Sequence, residues 1–325
     1  MCNDKYVLGI DTSCYTTSIS VVDLKQNIVF NERILLDVGL GKVGLQQSEG
    51  VFKHINNIPV IINKLMSIID RNSIVAVCSS TQPRPYESSY MPVFKVSYAM
   101  GKVISDILNI PFYTASHQEG HIMAGHFSAK GPNVNTFLAV HLSGGTSELL
   151  YVNDCKIGYD IKIIGNTQDL NAGQFVDRLG VEMGLPFPAG PYLEKLADKG
   201  EEGGNIIPSF VRNLTIGFSG AETHAKKLLK QGKRKQDIAL SIYNCLVKTL
   251  EKWIYNGVLY TGINNVLVVG GVSSSNIIRK KLSDKLEKRN PDIKLFFADP
   301  ELSTDNAEGI ALLGVKKYIH DKNIL

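Results

Sequence analysis

The sequence predicts an α/β protein whose two lobes begin with the same arrangement of strands. Short runs rich in β-branched and aromatic residues alternate with amphipathic helical patterns, which is typical of α/β folds. A Gly/Pro/Asn linker at residues 129–135 is the best candidate for a boundary between lobes. The 325 residues are enough for two lobes. We therefore predict an N-terminal lobe at residues 1–130 and a C-terminal lobe at 131–325.

Three short strands joined by tight turns open each half of the chain. They are predicted at 6–13, 17–23 and 27–35, and again after the linker at 136–142, 146–152 and 156–165. The two halves share this pattern rather than residue identities. A duplicated topology is the simplest explanation for the recurrence.

Helical and strand patterns continue after the opening strands of the first half. A helix is predicted at 51–70, a buried strand at 73–80 and a further helix after Pro92. The glycine-rich segment 38–50 is predicted to be a mobile loop. This order of elements agrees with an α/β fold.

Composition and charge restrict the class of protein. The chain is 44% hydrophobic and 20% charged with a net charge of +4, as in ordinary soluble domains, and it permits a polyanionic partner without demanding one. The N-terminus lacks a signal-peptide pattern, and no apolar run approaches the length of a membrane span. The five cysteines are far apart and form no CxxC pair, which favours reduced thiols and a cytoplasmic location.

Residues 114–127 contain His117, His121 and His126, three of the seven histidines. On a helix, His117 and His121 share one face and are close enough to bind one metal ion. His126 lies about 140° from that face and is predicted to pack or to support the site. A metal site would require a third ligand from elsewhere in the chain.

Two further segments offer carboxylates near hydroxyl groups. Asp11 closes the first strand and is followed by Thr12 and Ser13, so this turn is either a phosphate- and cation-binding loop or an ordinary hairpin. Asp305 precedes the last predicted helix. It is either the cap of that helix, in competition with Ser303 or Thr304, or a ligand at a strand-to-helix junction.

Seven segments in a fixed order then identify a family resemblance. They are LGIDTSCYTTS, SHQEGH, VHLSGGTSEL, GNTQDLNAGQFVDRLGVEMGLPFPAGP, IGFSGAETHA, VVGGVSSSNIIRKKL and ELSTDNAEGIA. Together they resemble the motifs of the TsaD family, the tRNA threonylcarbamoyladenosine transferases once called O-sialoglycoprotein endopeptidases. The resemblance runs from about residue 6 to residue 316.

The resemblance implies an actin/Hsp70/sugar-kinase fold, in which two related lobes enclose a nucleotide cleft. It implies one divalent metal ion, Fe²⁺ or Zn²⁺, bound by His117, His121 and Asp305. It also implies substrate or nucleotide contacts from nine positions: Leu142, Ser143, Gly144, Gly145, Thr146, Asp177, Gly190, Ser275 and Asn276. It assigns no catalytic side chain.

The implied reaction is acyl transfer. The threonylcarbamoyl group of threonylcarbamoyl-AMP passes to N6 of adenosine 37 in tRNAs that read ANN codons, and AMP leaves. The implied partners are this nucleotide or a related AMP or ATP, the tRNA, and other proteins of the same pathway. The basic cluster at 226–235 either contacts tRNA phosphates or is a solvated helix face.

Many departures from the family motifs fall on residue types that carry chemistry, namely carboxylates and a histidine. Tyr15 and Thr16 replace the acidic pair of the opening motif, and Thr146 replaces a histidine. Asn166, Leu170 and Gln174 replace carboxylates or their neighbours, while Asp169 and Asp177 remain; Ser275 aligns with an asparagine, and Asn276 follows it. The chain therefore resembles a diverged paralogue.

Three alternative functions remain open at this point. A metallopeptidase would require HExxH, but Glu119 is two residues after His117, about 200° around the helix. A non-catalytic, nucleotide-binding scaffold agrees with the lost carboxylates but not with the three retained ligands. An ATP-dependent, kinase-like enzyme is disfavoured by the missing acidic groups of the opening loop.

Overall fold

The computed structural model describes residues 5–39, 44–203 and 206–324. The twelve strands in these ranges form two mixed sheets. The first sheet has the order β3-β2-β1-β4-β5. Its strands are β1 (Tyr6–Thr12), β2 (Thr16–Asp23), β3 (Ile28–Leu35), β4 (Ile74–Gln82) and β5 (Phe112–Ser116). The three opening strands are antiparallel, and β4 and β5 continue the sheet in parallel from β1.

The second sheet repeats this arrangement and has the order β12-β11-β6-β7-β8-β10-β9. Its strands are β6 (Thr136–Leu142), β7 (Ser147–Cys155), β8 (Gly158–Thr167), β9 (Phe210–Arg212), β10 (Thr215–Gly217), β11 (Asn265–Val269) and β12 (Lys294–Phe297). Strands β6–β8 are antiparallel, and β11 and β12 extend in parallel from β6. The predicted recurrence of the opening strands is confirmed.

Ten α-helices connect and cover the sheets in the described part of the chain. They are α1 (Gln47–Met66), α2 (Phe94–Leu108), α3 (His117–Ser128), α4 (Ala172–Glu182), α5 (Gly190–Ala197), α6 (Ser219–Lys230), α7 (Lys235–Thr261), α8 (Asn276–Arg289), α9 (Pro300–Ser303) and α10 (Glu308–Asp321). Short 3₁₀ turns occupy Arg71–Ser73 and Gly271–Ser274. None of these helices is both long enough and apolar enough to cross a membrane.

Alternate residues of a strand point to opposite faces of its sheet, and this two-residue period determines which helices each face packs against. Leu138 and Val140 of β6 pack into the outer core with α4–α8, whereas Phe137 and Ala139 point to the opposite face. That inner face packs against α3 and α10. Helices α1 and α2 cover the outer face of the first sheet. Helices α3 and α10 therefore lie between the two sheets.

Helices α3 and α10 approach each other unusually closely, because glycines line their contact. A Cβ added at Gly309 would lie 1.9 Å from the backbone oxygen of Gly120. On the other side of α10, a Cβ added at Gly9 of β1 would lie 2.6 Å from the backbone nitrogen of Ala311. Only residues without a side chain allow the last helix to fit between the first sheet and α3.

The start of α10 bears on one of the two sequence-based alternatives for Asp305, the role of helix cap. The side chain of Asn306, rather than that of Asp305, accepts the backbone N–H of Glu308 at 3.1 Å. Because Asn306 takes the capping role, the carboxylate of Asp305 is available for other contacts. Of the two alternatives for Asp305, the role of helix cap is not the one observed.

Other boundaries agree with the predictions to within a few residues. Helix α1 begins at Gln47, a few residues before the predicted start. The predicted mobile loop at 38–50 falls partly on residues 40–43, which lie outside the described residues. The linker 129–135 joins α3 to β6. The division into lobes at residue 130 stays a prediction, since α10 of the second half packs on the first sheet.

Gly309→Ala should lower the free energy of unfolding by about 1–3 kcal/mol, because its methyl group would overlap backbone atoms of α3 that cannot move independently. The better helix propensity of alanine, worth about 1 kcal/mol, is too small to compensate. Urea denaturation measures the change. Gly220→Ala in α6 is the matched control, because a Cβ there meets nothing within 4 Å and should not destabilise the protein. Equal stability of the two variants would contradict the close crossing.

Candidate metal centre and substrate cleft

The two predicted histidine ligands lie one turn apart at the start of α3. Ser116 and Glu119 form a reciprocal capping box, in which the Glu119 carboxylate accepts the backbone N–H of Ser116 at 2.7 Å. This cap fixes the first helical turn, and the Nε2 atoms of His117 and His121 lie 3.1 Å apart. The predicted helix and the shared face of the two imidazoles are both confirmed.

Asp305 reaches the same point from the short segment between α9 and α10. Its Oδ1 lies 3.4 Å from Nε2 of His117 and 3.2 Å from Nε2 of His121. Its Oδ2 accepts the hydroxyl of Ser13 at 2.6 Å. One carboxylate oxygen therefore faces the two imidazoles while the other is held by the loop after β1.

Asp11 provides a second carboxylate behind His117. Its Oδ1 accepts the Nδ1–H of His117 at 3.0 Å, and Nε2 of the same ring faces Asp305. Asp11 is fully buried, and its Oδ2 has no hydrogen-bond partner among the described residues. A carboxylate behind a ligating imidazole is the usual way in which proteins orient a metal ligand.

The pKa values in this cluster indicate that its carboxylates favour a neighbouring positive charge. Burial alone would lower the pKa of His117, but the carboxylates of Asp11 and Asp305 outweigh it and raise that pKa well above 6.5. Burial would raise the pKa of Asp305, but His117 and His121 hold it well below 3.8. One buried carboxylate, Asp11, and one half-buried carboxylate, Asp305, thus face the two imidazoles.

The donor set fits a divalent transition metal. The ligand atoms of His117, His121 and Asp305 all lie within 4.8 Å of one another, so a single ion can reach all three. Two imidazole nitrogens and one carboxylate oxygen suit zinc or iron and leave further coordination positions open. The orientation of His117 by Asp11 agrees with such a centre.

A buried polar network beside the centre was not foreseen from the sequence. His141 of β6 lies next to His121, with ring centroids 4.8 Å apart, and Glu148 faces it on β7. Glu148 accepts from Gln118 of α3 and forms an ion pair with Arg84, at 2.6 Å each. Burial and then the nearby histidines lower the pKa of His141 well below 6.5. The sequence signal for this network was the presence of polar residues at inward positions of otherwise apolar strands.

A narrow cleft lies near the predicted nucleotide contacts. Its cavity of about 70 Å³ is lined by Tyr15, Gly144, Gln174, Asp177, Arg178 and Phe187. Tyr15 comes from the loop after β1, and its ring meets that of Phe187 edge to face with centroids 5.4 Å apart. The substitution of Tyr15 for a family carboxylate thus places an aromatic ring across this cleft.

The turn between β6 and β7, which was predicted to contact phosphate, packs on one side against Gly173 of α4. Ser143 donates its backbone N–H to the carbonyl of Thr146 at 2.8 Å, which closes the turn after Leu142. A Cβ added at Gly144 or Gly145 would meet nothing within 4 Å. Space for a ligand is therefore present beside these glycines.

The remaining predicted contacts lie at helix starts. Gly190 begins α5, and its carbonyl accepts the hydroxyl of Tyr243 at 3.0 Å. Ser275 caps α8 by accepting from Ile278, and it donates to Glu194. Asn276 is exposed. A substrate role for these residues stays a prediction.

The side chains of the predicted phosphate loop are engaged within the protein. Thr12 donates its hydroxyl to the carbonyl of Val93 at 2.9 Å and accepts the backbone N–H of Ser97. Asp11 orients His117, and Ser13 holds Asp305. Their role in phosphate binding stays a prediction, and in the structure these side chains support the metal centre.

Two nearby residues have packing roles. His126 contacts the Tyr159 hydroxyl at 3.0 Å and the Pro132 carbonyl at 2.9 Å, away from the cluster. Glu119 is engaged in the helix cap. Both arrangements agree with the angles predicted from the helix period.

The basic segment at 226–235 is partly neutralised. Lys226 forms an ion pair with Glu222 at 2.9 Å, and Arg234 forms one with Glu201 at 2.8 Å. Lys235 donates to the backbone carbonyl of Met183. The segment thus contributes less free positive charge than its sequence suggests.

Comparison with known families finds one that matches most of the chain. The family described as TsaD, tRNA N6-adenosine threonylcarbamoyltransferase, matches residues 48–312. Relatives of that name from Archaeoglobus fulgidus and Thermotoga neapolitana are 28% and 27% identical to the chain. Each match covers 96% of this chain, with 91% and 94% of the respective relatives.

Solved structures of low sequence identity share the fold. HypF from T. kodakarensis has a TM-score of 0.61 at 14% identity and matches 98% of this chain with 48% of its own length. A ROK family glucokinase from Streptomyces griseus has a TM-score of 0.54 at 11% identity, covering 95% of this chain and 99% of its own. These similarities confirm the predicted actin/Hsp70/sugar-kinase-like fold class.

The purified protein should bind about one Zn²⁺ or Fe²⁺ ion per chain, and His117→Ala should lose that ion because one of three ligands is removed. Elemental analysis after removal of free metal measures the stoichiometry. His126→Ala is the matched control, since it removes a histidine from the same helix that makes its contacts elsewhere. Equal metal content in both variants would contradict the centre.

Asp177→Asn should stabilise the protein increasingly as the pH rises from about 4 to about 6. Burial raises the pKa of Asp177 from 3.8 to about 6, so the folded protein binds the proton more tightly than the unfolded chain. The stabilisation from that proton is complete below pH 3.8 and is lost as the pH rises through about 6. The difference between the two pKa values corresponds to up to about 3 kcal/mol of unfolding free energy. Asparagine retains an acceptor for the backbone N–H of Ala189.

Urea denaturation at several pH values measures this effect. Asp160→Asn, which removes an exposed carboxylate from β8, is the control for the loss of one negative charge. A constant difference in unfolding free energy between Asp177→Asn and the natural protein across this pH range would contradict the prediction.

Proposed function

Because the chain belongs to the family of tRNA N6-adenosine threonylcarbamoyltransferases, which are acyltransferases, we propose that it modifies adenosine 37 of tRNAs that read ANN codons. The proposed donor is threonylcarbamoyl-AMP. The observation that carries the proposal is that Asp305 converges with His117 and His121 of α3, although it lies 184 positions from His121 in the sequence. This centre is retained although neighbouring family positions have changed.

The proposed step is a single acyl transfer. The N6 amine of adenosine forms a bond to the carbamoyl carbon of threonylcarbamoyl-AMP, the bond from that carbon to the phosphate oxygen breaks, and AMP leaves. N6 loses one proton in the exchange. No oxidant, reductant or second nucleotide is required.

In this proposal, His117, His121 and Asp305 hold one divalent ion, iron or zinc. Such an ion supplies positive charge for the substrate oxygens on which negative charge develops. Asp11 keeps His117 in the tautomer whose Nε2 is free to bind. Ser13 keeps one oxygen of Asp305 occupied, so that the other faces the imidazoles.

The cleft beside the turn after Leu142 is the proposed site for the nucleotide. The backbone of Gly144 and Gly145 is open to a phosphate, and the Asp177 carboxylate can accept ribose hydroxyls. Lys227, Lys230 and Lys233, in the basic segment, are candidates for contact with tRNA phosphates. The proposal places this reaction in the cytoplasm.

Other proteins of the pathway are proposed partners. A relative from Methanocaldococcus jannaschii, 26% identical over 309 residues, is named a probable bifunctional tRNA threonylcarbamoyladenosine biosynthesis protein. The match covers 95% of this chain but 54% of that relative.

A diverged paralogue that binds nucleotide and metal as a scaffold, or acts on another substrate, is the second candidate. The contact of Tyr15 with Phe187 and the cavity of about 70 Å³ favour it, because an aromatic ring stands where the family has a carboxylate. A metallopeptidase is disfavoured, because Glu119 is committed to the helix cap and is not beside the metal ligands.

The purified, metal-loaded protein supplied with threonylcarbamoyl-AMP and unmodified tRNA should release one AMP for each modified adenosine. Mass spectrometry of the digested tRNA and chromatography of AMP measure the two products. His121→Ala should reduce modification by a factor on the order of 100, because the ion loses a ligand. His126→Ala should retain most of the activity.

A tRNA with guanosine at position 37 is the substrate control, since it lacks the attacking amine. Bound metal without modified tRNA, in the presence of the pathway partners, would contradict the transferase and favour the scaffold. Release of AMP without tRNA modification would indicate a hydrolase instead.

A further inference from the structure

We propose that a buried relay of hydrogen bonds, running from Asn57 through Thr17 and His54 to Ser13, positions Asp305 for metal binding. The inference rests on the proposed metal centre and extends it to residues of α1 and β2. His54 and its partners in the relay are positioning residues, since they act on the metal only through Asp305.

The relay is continuous from one helix to the metal ligand. Asn57 of α1 donates its side-chain amide to the Thr17 hydroxyl at 3.1 Å, and Thr17 contacts Nδ1 of His54 at 2.8 Å. Nε2 of His54 contacts the backbone carbonyl of Ser13 at 2.8 Å. The Ser13 hydroxyl then donates to Oδ2 of Asp305 at 2.6 Å.

Chemistry fixes the direction of each bond. The Ser13 carbonyl can only accept, so Nε2 of His54 carries a proton. The Thr17 hydroxyl already accepts from Asn57 and can donate its own proton to Nδ1 of His54. Burial lowers the pKa of His54, which agrees with a neutral ring that donates at one nitrogen and accepts at the other. All donors therefore point toward Asp305.

Burial makes the central bonds of the relay costly to break, whereas Asn57 and Asp305 at its ends are half-buried. His54 and Thr17 have no exposed surface, and Ser13 is 2% exposed. Water cannot easily replace a missing partner at such positions, so removal of one donor leaves an unsatisfied acceptor. The relay is therefore expected to hold one arrangement.

Ser13 connects the relay to Asp305, the proposed metal ligand. Its backbone N–H donates to the carbonyl of Thr16 at 3.2 Å, its carbonyl accepts from His54, and its hydroxyl holds Asp305. Asp305 itself lies between two helices, in a segment without regular structure. With Oδ2 fixed, Oδ1 faces the imidazoles, and rotation of the carboxylate is restricted.

The test uses the full chain, stripped of metal and titrated with Zn²⁺ against a chromophoric chelator. Thr17→Val and Ser13→Ala should each weaken Zn²⁺ binding by about 10- to 100-fold, the usual effect of losing a residue that orients a ligand. Thr17→Ser keeps the hydroxyl and should bind Zn²⁺ within about twofold of the natural protein. Ser20→Ala, which removes a buried hydroxyl bonded to Phe30 in the same hairpin, is the matched control.

A spectroscopic measurement separates positioning from general loss of structure. The visible absorption of bound Co²⁺ reports its ligands, so Ser13→Ala should change the spectrum whereas Ser20→Ala should not. Thermal unfolding of the metal-free proteins shows whether each variant is folded. If Thr17→Val does not fold, the comparison of Ser13→Ala with Ser20→Ala decides the question.

The outcomes distinguish this inference from the proposed function. Natural affinity and an unchanged Co²⁺ spectrum in Ser13→Ala would overturn the relay while the metal centre stands. Equal weakening by Ser20→Ala would also overturn it, because the effect would then be nonspecific. Absence of Zn²⁺ binding by the natural protein would overturn the metal centre and the relay together.

Discussion

The close crossing of α3 and α10 is the constraint on which the rest of the site depends. Gly120 lies between the two histidine ligands, and Gly309 lies four residues after Asp305, so the tightest contact between the helices falls within one turn of all three ligands. A side chain at Gly309 would separate the two helices and with them the imidazoles from the carboxylate. The geometry of the proposed metal centre is therefore a consequence of backbone packing at this crossing as much as of the identity of the three side chains.

The polar groups around the crossing form two supporting layers with different tasks. Asp11 acts on His117 and selects its tautomer, whereas Ser13 acts on Asp305 and selects its free oxygen. Both residues come from the end of β1 and the turn that follows it. One short segment thus contacts His117 of α3 and Asp305 of the segment before α10, which explains why residues suited to phosphate binding in sequence are engaged with the protein in the structure.

The sequence predicted the duplicated strands, the histidine helix and, through the family motifs, the third ligand. It could not predict the contacts that depend on distant partners. Asp11 is separated from His117 by 106 positions and Ser13 from Asp305 by 292, so no local pattern relates them. The Asn306 cap was missed because several capping residues stand side by side, and only the backbone selects among them. His141 and Glu148 left a fainter signal, as polar residues on inward faces of buried strands.

The position of α10 between the sheets has a consequence for synthesis of the protein. Val7, Val22 and Ala76 of the first sheet pack against Ala311, Leu312 and Val315 of α10, which is translated long after that sheet. The first sheet therefore leaves an apolar face uncovered while most of the chain is being translated. Asp305 is also translated long after Asp11, His117 and His121, so a nascent chain presents the two histidines without this second carboxylate. The inner core of the first sheet and the cluster of His117, His121 and Asp305 are thus completed by the same segment, residues 305–321, and a ribosome-bound intermediate that lacks it would need protection from aggregation.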